Sequence, residues 1–241
     1  MFMNRTRSKL YLIPTPVYRQ KDNQTLPEYT LSVARSLSVF VVEKVQPALS
    51  FLQWIDHPMK DFELTLRVLN KKTPDHEVAG FLKLFEQGDV GLMSDAGAPA
   101  VADPGSKLVK LAHERGIEVI PLTGPSSILL ALMGSGLEGQ RFSFDGYLPL
   151  DDKKRVQRIQ DLEKRSLTET MTQIIMETPH RNHMLFELLL STLEPETHLC
   201  VACNLTAPDG WIRTSRVYEW QQQPQPDLQQ KPALYLIFKS S

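Results

Sequence analysis

Short apolar runs alternate with amphipathic helical patterns along most of this chain, and this alternation limits the fold more than any other feature. Each apolar run has the length of a strand, and a helix that connects two strands of one sheet makes those strands parallel. The pattern therefore predicts an α/β fold with mostly parallel strands. The length of 241 residues allows one large or two modest domains.

The first half of the sequence predicts a doubly wound N-terminal α/β domain that covers residues 1–122. Its strands are expected at Lys9 to Ile13, Val39 to Glu43, Val90 to Ser94 and Ile117 to Leu122. Its helices are expected at Leu26 to Ser36, Pro47 to Trp54, Asp75 to Gln87 and Ser106 to Arg115. We place the domain boundary near Leu122 to Gly124.

The second half, residues 123–241, predicts a C-terminal α/β domain with a mixed sheet. Its strands are expected at Arg141 to Asp145, Gln173 to Glu177, His198 to Asn204, Arg213 to Glu219 and Ala233 to Phe238. Its helices are expected at Ser126 to Met133, Lys153 to Arg165 and His180 to Leu193. The last three strands follow one another without helices, which implies an antiparallel portion.

The charge of the chain is nearly balanced, with 27 basic and 28 acidic residues and a formal net charge of −1. This excludes the global field of a histone-like nucleic-acid binder, so any site for a polyanion is local. The most apolar stretch, Ile128 to Met133, is far shorter than the roughly 20 residues of a membrane span. The run Tyr11 to Ile13 is too short for the core of a secretion signal. We expect a cytoplasmic protein without membrane contact.

The two cysteines, Cys200 and Cys203, lie three positions apart in a strand-like apolar run. Residues three apart on a strand point to opposite faces, so the pair cannot hold one metal ion. We expect two buried thiols and no metal site.

The segment Ser94 to Gly105 contains no side chain larger than Val, Pro or Asp. It follows a predicted strand and precedes a predicted helix, which places it at the carboxyl end of the sheet, where open α/β sheets bind ligands. Small residues let a ligand approach the main chain closely. We predict a backbone-lined cofactor pocket here. A purely structural connection, with Asp103 capping the helix and Pro104 in its first position, leaves Asp95 to Pro99 unexplained.

Three further motifs have mainly structural explanations. Thr123 to Ser127 reads as a helix start whose hydroxyls can also bind the polar end of a ligand. Gly134, Gly136 and Gly139 match the spacing G-x-G-x-x-G, but they follow a helix and precede a strand, so we interpret them as a helix stop. His180 and His183 lie at a helix start without an evident third metal ligand.

A basic cluster lies in the helix that follows Tyr147. Its members are Lys153, Lys154, Arg155, Arg158, Lys164 and Arg165. Acidic residues interleave with it, as is typical of a solvated helix face. A mobile basic helix beside a pocket could instead hold phosphates of an RNA substrate.

Four motifs in this order resemble the tetrapyrrole methylase superfamily, and within it the small-subunit ribosomal RNA 2′-O-ribose methyltransferase I family. The motifs are Ser94 to Pro99 with Asp103 to Gly105, Pro121 to Ser126, Arg141 to Pro149, and Glu177 to Arg181. Their order and spacing cover about two thirds of the chain.

This resemblance implies an S-adenosylmethionine-dependent methyltransferase of two α/β domains, usually a homodimer, with the cofactor in the cleft between the domains. It also implies which residues line the cofactor. These are Pro14, Asp95, Ala96, Gly97, Ala98, Pro99, Ser126, Ser127, Tyr147, Asn204, Leu205 and Ala207.

The chain departs from the family pattern at three polar segments. The first loop, Pro14 to Gln20, has no glycine where the family has a glycine-rich loop. Glu43-Lys44-Val45-Gln46 replaces Glu-Asp-Thr-Arg, and Asn204-Leu205-Thr206-Ala207 replaces Glu-Leu-Thr-Lys. The methyl acceptor therefore stays open between ribosomal RNA ribose and a tetrapyrrole or other small molecule.

For the chemistry we name Glu43 as the base or orienting group and Lys44 as a residue that could hold a substrate anion. Glu43 is a polar residue that ends an apolar strand, and methyl transfer to a hydroxyl requires mainly alignment and removal of a proton. Two other classes stay open: a non-catalytic cofactor-binding module, and a nicotinamide oxidoreductase, against which the misplaced glycine motif argues.

Overall fold

The structure is a computed structural model that describes residues 8–20 and 25–240. The described chain divides into two compact units, of which the first ends at Ser126 and the second begins at Ser127. Among the described residues, no helix combines the length and apolar character that a transmembrane span requires.

The first unit contains a five-stranded, all-parallel sheet in the order β3-β2-β4-β1-β5. The strands are β1 (Lys9–Ile13), β2 (Val39–Val42), β3 (Thr65–Val68), β4 (Val90–Met93) and β5 (Glu118–Pro121). The α-helices are α1 (Glu28–Ser36), α2 (Val45–Trp54), α3 (Asp75–Gly80) and α4 (Ser106–Glu114), and 3-10 turns cover Asp61–Glu63 and Phe81–Glu86.

Two apolar clusters cover the faces of this sheet. On β2, Phe40 and Val42 belong to one cluster, while Val39 and Val41 belong to the other. A central parallel strand is buried on both faces, which explains why β2 is apolar at every position. On β4, a Cβ atom at Gly91 would lie 2.7 Å from Phe40 Cδ1, so the absent side chain makes room for that ring.

The second unit contains a five-stranded mixed sheet in the order β6-β7-β10-β8-β9, in which only β6 and β7 are parallel. The strands are β6 (Phe142–Tyr147), β7 (Thr172–Glu177), β8 (His198–Cys203), β9 (Trp211–Arg216) and β10 (Ala233–Phe238). The α-helices are α5 (Ser127–Ser135), α6 (Asp152–Glu169), α7 (Asn182–Thr192) and α8 (Val217–Gln221), with a 3-10 turn at Pro179–Arg181. The predicted fold class, two α/β units with a parallel and a mixed sheet, is confirmed.

Three element predictions were wrong. Strand β3 was not predicted, because it is a short edge strand with an exposed Arg67. The predicted helix Asp75 to Gln87 is α-helical only to Gly80 and continues as a 3-10 turn. The strand predicted to reach Glu219 ends at Arg216, because Val217 and Trp220, three residues apart, are both buried on one face of α8.

Two other predictions are confirmed. Helix α5 ends at Ser135, Gly136 has a φ of 68°, and β6 begins at Phe142, so the glycine motif is a helix stop. On β8, Cys203 packs in the core cluster that contains Leu199, whereas Cys200 lies on the other face and hydrogen-bonds Thr214. Burial raises the pKa of both thiols to about 11.

Candidate functional site

The carboxyl ends of three neighbouring strands meet in the first unit. Ile13 and Val42 both pair with Met93, so Pro14, Ser94 and Glu43 follow side by side at one edge of the sheet. The chain leaves β1 toward β2 on one side and leaves β4 toward β5 on the other, so the topology switches between β1 and β4. Open α/β sheets bind ligands at such a point.

Thr15 joins the two loops that flank this switch point. Its main chain forms an antiparallel bridge with Gly97, with N···O distances of 3.0 Å in both directions. Its Oγ1 also donates to the Ser94 carbonyl at 3.3 Å. The sequence did not predict a role for Thr15. The only signal that could have identified it is its position next to Pro14, directly after a strand.

The loop after β4 has an unusual backbone. Gly97 has a φ of 77°, and Ala100 and Ala102 have φ values of 64° and 59°, a region that non-glycine residues seldom adopt. The Asp103 carboxylate is folded back into the loop, where it accepts the Gly105 N–H at 2.6 Å and the Ala100 N–H. These bonds hold Ala100 in its strained conformation.

The prediction that Asp103 caps the following helix, with Pro104 in its first position, agrees with the bond from the Gly105 N–H to Asp103 Oδ1, which is the hydrogen bond of an N-cap. Helix α4 itself is assigned from Ser106, after Gly105, which already has helical dihedrals. The carboxylate thus serves both the helix start and the loop, where it also accepts the Ala100 N–H. Its Oδ2 is buried without a hydrogen-bond partner among the described residues, and burial raises the pKa of Asp103.

The small residues of this loop are partly accessible. Ala96 is exposed, Asp95 and Ala98 are half-buried, and Gly97 and Pro99 are buried. The main-chain N–H and C=O of Gly97 both pair with Thr15. Gly97 would therefore help a ligand to bind by leaving space where a side chain would be, and not by hydrogen bonds from its main chain. The loop thus offers a surface with little side-chain bulk.

Glu43, Lys44 and Asp95 lie together at the same edge. The Lys44 ammonium donates to Asp95 Oδ2, and the Asp95 N–H donates to the Glu43 carboxylate. Burial raises the pKa of Glu43, the negative charges of Asp95 and Asp103 raise it further, and Lys44 opposes them. The structure therefore brings both predicted catalytic residues next to the predicted cofactor loop.

The loop after β5 packs against the loop after β1. A Cβ atom at Gly124 would lie 2.2 Å from Pro14 Cγ, so this close approach requires glycine. Thr30 Oγ1 donates to the Thr123 carbonyl at 2.8 Å and ties α1 to the same loop. Pro14 is buried, while Ser126 and Ser127 are half-buried.

The predicted cofactor residues of the second unit lie at one edge of its sheet. Tyr147 ends β6 and is exposed, and Asn204 follows β8, which is separated from β7 by β10. Cys203 at the end of β8 and Glu177 at the end of β7 both pair with Ala233 of β10. Asn204 and Thr206 have φ values of 48° and 68°, and Asn204 Nδ2 donates to Asp209 Oδ1 at 2.6 Å. Leu205 is buried and Ala207 is half-buried.

The Glu177 to Arg181 motif forms a buried polar cluster beside this edge. Glu177 Oε1 accepts the Thr178 N–H at 2.6 Å and the Arg181 Nη2 at 2.7 Å. His180 lies in the 3-10 turn and His183 lies in α7. No three His, Cys, Asp or Glu residues of the described ranges are placed to hold a metal ion.

The arginines of the basic cluster in α6 contact groups of the protein itself, whereas Lys153, Lys154 and Lys164 are exposed. Arg155 is 3% exposed and donates to the carbonyls of Pro149 and Leu150 at 2.8 and 2.7 Å. Arg158 and Arg165 form ion pairs with Asp145. For Arg155 the hypothesis of phosphate binding was wrong, because two carbonyl groups occupy its buried guanidinium. For Arg158 and Arg165, whose side chains are 43% and 40% exposed, it stays a prediction.

Arg19 is a further residue of interest that sequence reasoning missed. It lies in the glycine-free first loop, and its Nη2 donates to the Pro47 carbonyl in the first turn of α2 at 3.3 Å. Its Nε is buried and has no hydrogen-bond partner within residues 8–20 and 25–240, and burial lowers the pKa of Arg19. The departure of this loop from the family pattern was the signal that could have identified it.

Comparison with known proteins adds the following relatives. Residues 39–220 match the family model of tetrapyrrole (corrin/porphyrin) methylases. A Vibrio cholerae protein named ribosomal RNA small subunit methyltransferase I is 32% identical over 197 residues, which cover 82% of this chain and 65% of that protein. Proteins of the same name from Synechocystis and Escherichia coli O157:H7 are 32% and 28% identical, and 67% and 66% of their lengths are covered.

The structural comparison agrees with this assignment at the level of the fold. The crystal structure of the methyltransferase CobJ superposes with a TM-score of 0.62 at 16% sequence identity, and the match covers 96% of this chain and 94% of that chain. At such low identity the likeness shows the fold alone. With three quarters of its length matched by the family model, the chain belongs to the tetrapyrrole (corrin/porphyrin) methylase family.

Proposed function

We propose that this chain transfers a methyl group from S-adenosylmethionine to the 2′-hydroxyl of a ribose in small-subunit ribosomal RNA. The observation that carries the proposal is the family match over residues 39–220, which includes the Glu43-Lys44 pair and the loop after β4. The name shared by the relatives supports the acceptor. The chain spans only 65% of the length of the Vibrio relative, so its activity and its methyl acceptor are proposals and do not follow from that relative's name.

The residues of the loop after β4 fit the proposed cofactor. Asp95 to Pro99 would lie along it, and the exposed Ala96 together with the left-handed residues that follow leaves space against the main chain. Pro14, Ser126, Ser127, Tyr147, Asn204, Leu205 and Ala207 are the other residues that we propose to hold it. When bound, S-adenosylmethionine supplies an electrophilic methyl group on its sulfonium.

Glu43 is proposed to accept the proton of the ribose hydroxyl. Its raised pKa makes the carboxylate a stronger base than an exposed glutamate, because burial and the charges of Asp95 and Asp103 disfavour its ionised form. Lys44, which Asp95 holds in place, would contact an anionic group of the substrate. We expect alignment of the methyl donor with the ribose hydroxyl to contribute more to the rate than proton removal, since positioning two reactants can lower a barrier by roughly 7–11 kcal/mol.

The assembly and the cellular location are part of the same proposal. We propose a homodimer that works in the cytoplasm, on the basis of the family relationship. Gel filtration with light scattering would measure the mass in solution, and a monomer at micromolar concentration would contradict the dimer.

A second candidate function is methylation of a tetrapyrrole or another small molecule. The glycine-free first loop and the replaced segments at Lys44 to Gln46 and Asn204 to Ala207 favour it, because these polar segments would face the acceptor. A third candidate, a non-catalytic module that binds S-adenosylmethionine, rests on the same departures.

The test has two steps. Calorimetry first measures binding of S-adenosylmethionine, and then methyl transfer is measured on small ribosomal subunits lacking the modification and on a set of small acceptors. We expect binding, transfer to RNA, and a loss of transfer by at least 100-fold in Glu43→Gln, with little change in Glu114→Gln at the opposite edge of the sheet. Transfer only to small acceptors favours the second function, and binding without any product favours the third.

A further inference from the structure

The first loop carries a cation, Arg19, that has no counter-ion among residues 8–20 and 25–240. No carboxylate of the described residues acts on Arg19, whose pKa is shifted by burial alone. Its Nη2 donates to a carbonyl, that of Pro47, and its Nε has no hydrogen-bond partner in the part of the chain that the structure describes. A half-buried charge without a partner is costly, so an anion supplied by a ligand would be bound favourably.

The surroundings of Arg19 also favour an anion. Pro47 is in the first turn of α2, a helix of ten residues that begins directly after Lys44. The N-terminal end of a helix carries a positive partial charge, which disfavours a lone cation and favours an anion placed beside it. Arg19 therefore reaches the turn that follows Glu43 and Lys44, where an extended substrate would pass.

The loop is also held in place and presents an aromatic side chain. Trp54 Nε1 donates to the Gln20 carbonyl at 2.9 Å, so the loop is fixed to α2 at both Arg19 and Gln20. Tyr18, next to Arg19, is 42% exposed. An exposed ring beside a cation is suited to single-stranded nucleic acid, since a base stacks on the ring and the guanidinium binds the phosphate.

We propose that Tyr18 and Arg19 form a contact site for single-stranded RNA next to the Glu43-Lys44 pair, with Arg19 on a phosphate and Tyr18 on an unpaired base. The inference rests on the proposed function, because it assigns residues of this chain to the RNA acceptor. It adds a local site for the polyanion that is separate from the basic helix α6, whose Arg155 is buried.

The test measures binding of a ten-nucleotide single-stranded RNA to the whole chain by fluorescence anisotropy over a series of salt concentrations. Each phosphate contact contributes about 0.7 to the slope of log affinity against log salt for a single strand. We expect Arg19→Gln to reduce the slope by about 0.7, and Arg19→Lys to retain it. Arg115→Gln, an exposed charge at the opposite edge of the sheet, is the matched control and should leave the slope unchanged.

Tyr18 gives an independent readout. Tyr18→Ala is expected to weaken binding roughly tenfold at fixed salt without changing the slope, while Tyr18→Phe keeps the affinity, because the ring and not the hydroxyl stacks. Equal slopes for Arg19→Gln and Arg115→Gln would overturn the site, as would absence of RNA binding by the wild type. Because the experiment measures RNA binding, it separates the contact site from the proposed function. If the slopes differ between the variants as expected but the wild type does not methylate RNA, the proposed function is refuted and the contact site is still supported.

Discussion

Thr15 and Gly97 are joined by two main-chain hydrogen bonds of 3.0 Å, which connect the loop after β1 to the loop after β4. These loops leave the sheet in opposite directions, so the bridge closes the base of the switch point. Gly97 takes part with a φ of 77°. The geometry of the proposed cofactor loop therefore depends on a residue that can adopt a left-handed conformation.

Gly97→Ala should destabilise the first unit and weaken binding of the cofactor. A left-handed conformation costs an ordinary residue roughly 1–2 kcal/mol, even though a Cβ atom here would find its nearest neighbour, the Pro125 carbonyl, at 3.8 Å. Urea unfolding and calorimetry with S-adenosylmethionine measure the two effects. Gly139→Ala is the control, because that glycine has open space and no left-handed φ. Equal unfolding free energies for the two variants would contradict the assigned role of the bridge.

The proposed methyl transfer should slow as the pH decreases through the raised pKa of Glu43, because only the ionised carboxylate accepts a proton. Asp95→Asn removes a negative charge that raises this pKa, so the acid limb of the kcat/KM profile should move to lower pH. Lys44→Met removes the positive charge that lowers the pKa, so the limb should move to higher pH. Shifts of both variants in the same direction would show that Glu43 is not the titrating base.

Arg155 should contribute to stability and not to RNA binding. Arg155→Met removes the buried guanidinium that donates to the carbonyls of Pro149 and Leu150, and we expect a loss of roughly 2 kcal/mol in the free energy of unfolding. Lys153→Gln, an exposed neighbour on the same helix, should change the unfolding free energy by less than about 0.5 kcal/mol. If Arg155→Met unfolds like the wild type and binds RNA more weakly, the structural assignment is wrong.

The two cysteines should not react with thiol reagents in the native protein. Burial raises the pKa of both thiols to about 11, so the reactive thiolate is scarce at pH 8, and both side chains are also shielded from solvent. Labelling with a disulfide reagent should be negligible in buffer and should reach two thiols per chain in denaturant. Rapid labelling of the native protein would mean that β8 opens or is less buried than described.

Much of the fold could be predicted from the sequence, because a strand that is buried in the core appears in the sequence as a short run of apolar residues. The bounds of β1 and β10 match the predicted ones, since both are apolar runs with clear ends. Strand β3 was missed because an edge strand of four residues with an exposed Arg67 carries little of that signal. The fully buried strands β2 and β4 were also identified, although each ends one residue before its predicted end.

Side-chain roles were less predictable because they depend on long-range partners. Capping rules predicted the bond from the Gly105 N–H to Asp103, but they could not predict that the same carboxylate also accepts the Ala100 N–H of the loop. The run of charged residues predicted that the Arg155 side chain faces solvent or binds RNA. In the structure, tertiary packing buries this side chain, and it donates to two carbonyl groups. The contact between Lys44 and Asp95 joins residues 51 positions apart, which only the sheet order brings together.

The most direct measurement of the central claim locates the methyl group. Small ribosomal subunits from cells lacking the gene are incubated with the protein and labelled S-adenosylmethionine, and the RNA is digested and analysed by mass spectrometry and by resistance to alkaline cleavage. The account predicts label on a ribose 2′-oxygen, which blocks cleavage at that nucleotide, and its loss in Glu43→Gln. Label on a base, or no label on RNA while a small acceptor is methylated, would contradict it.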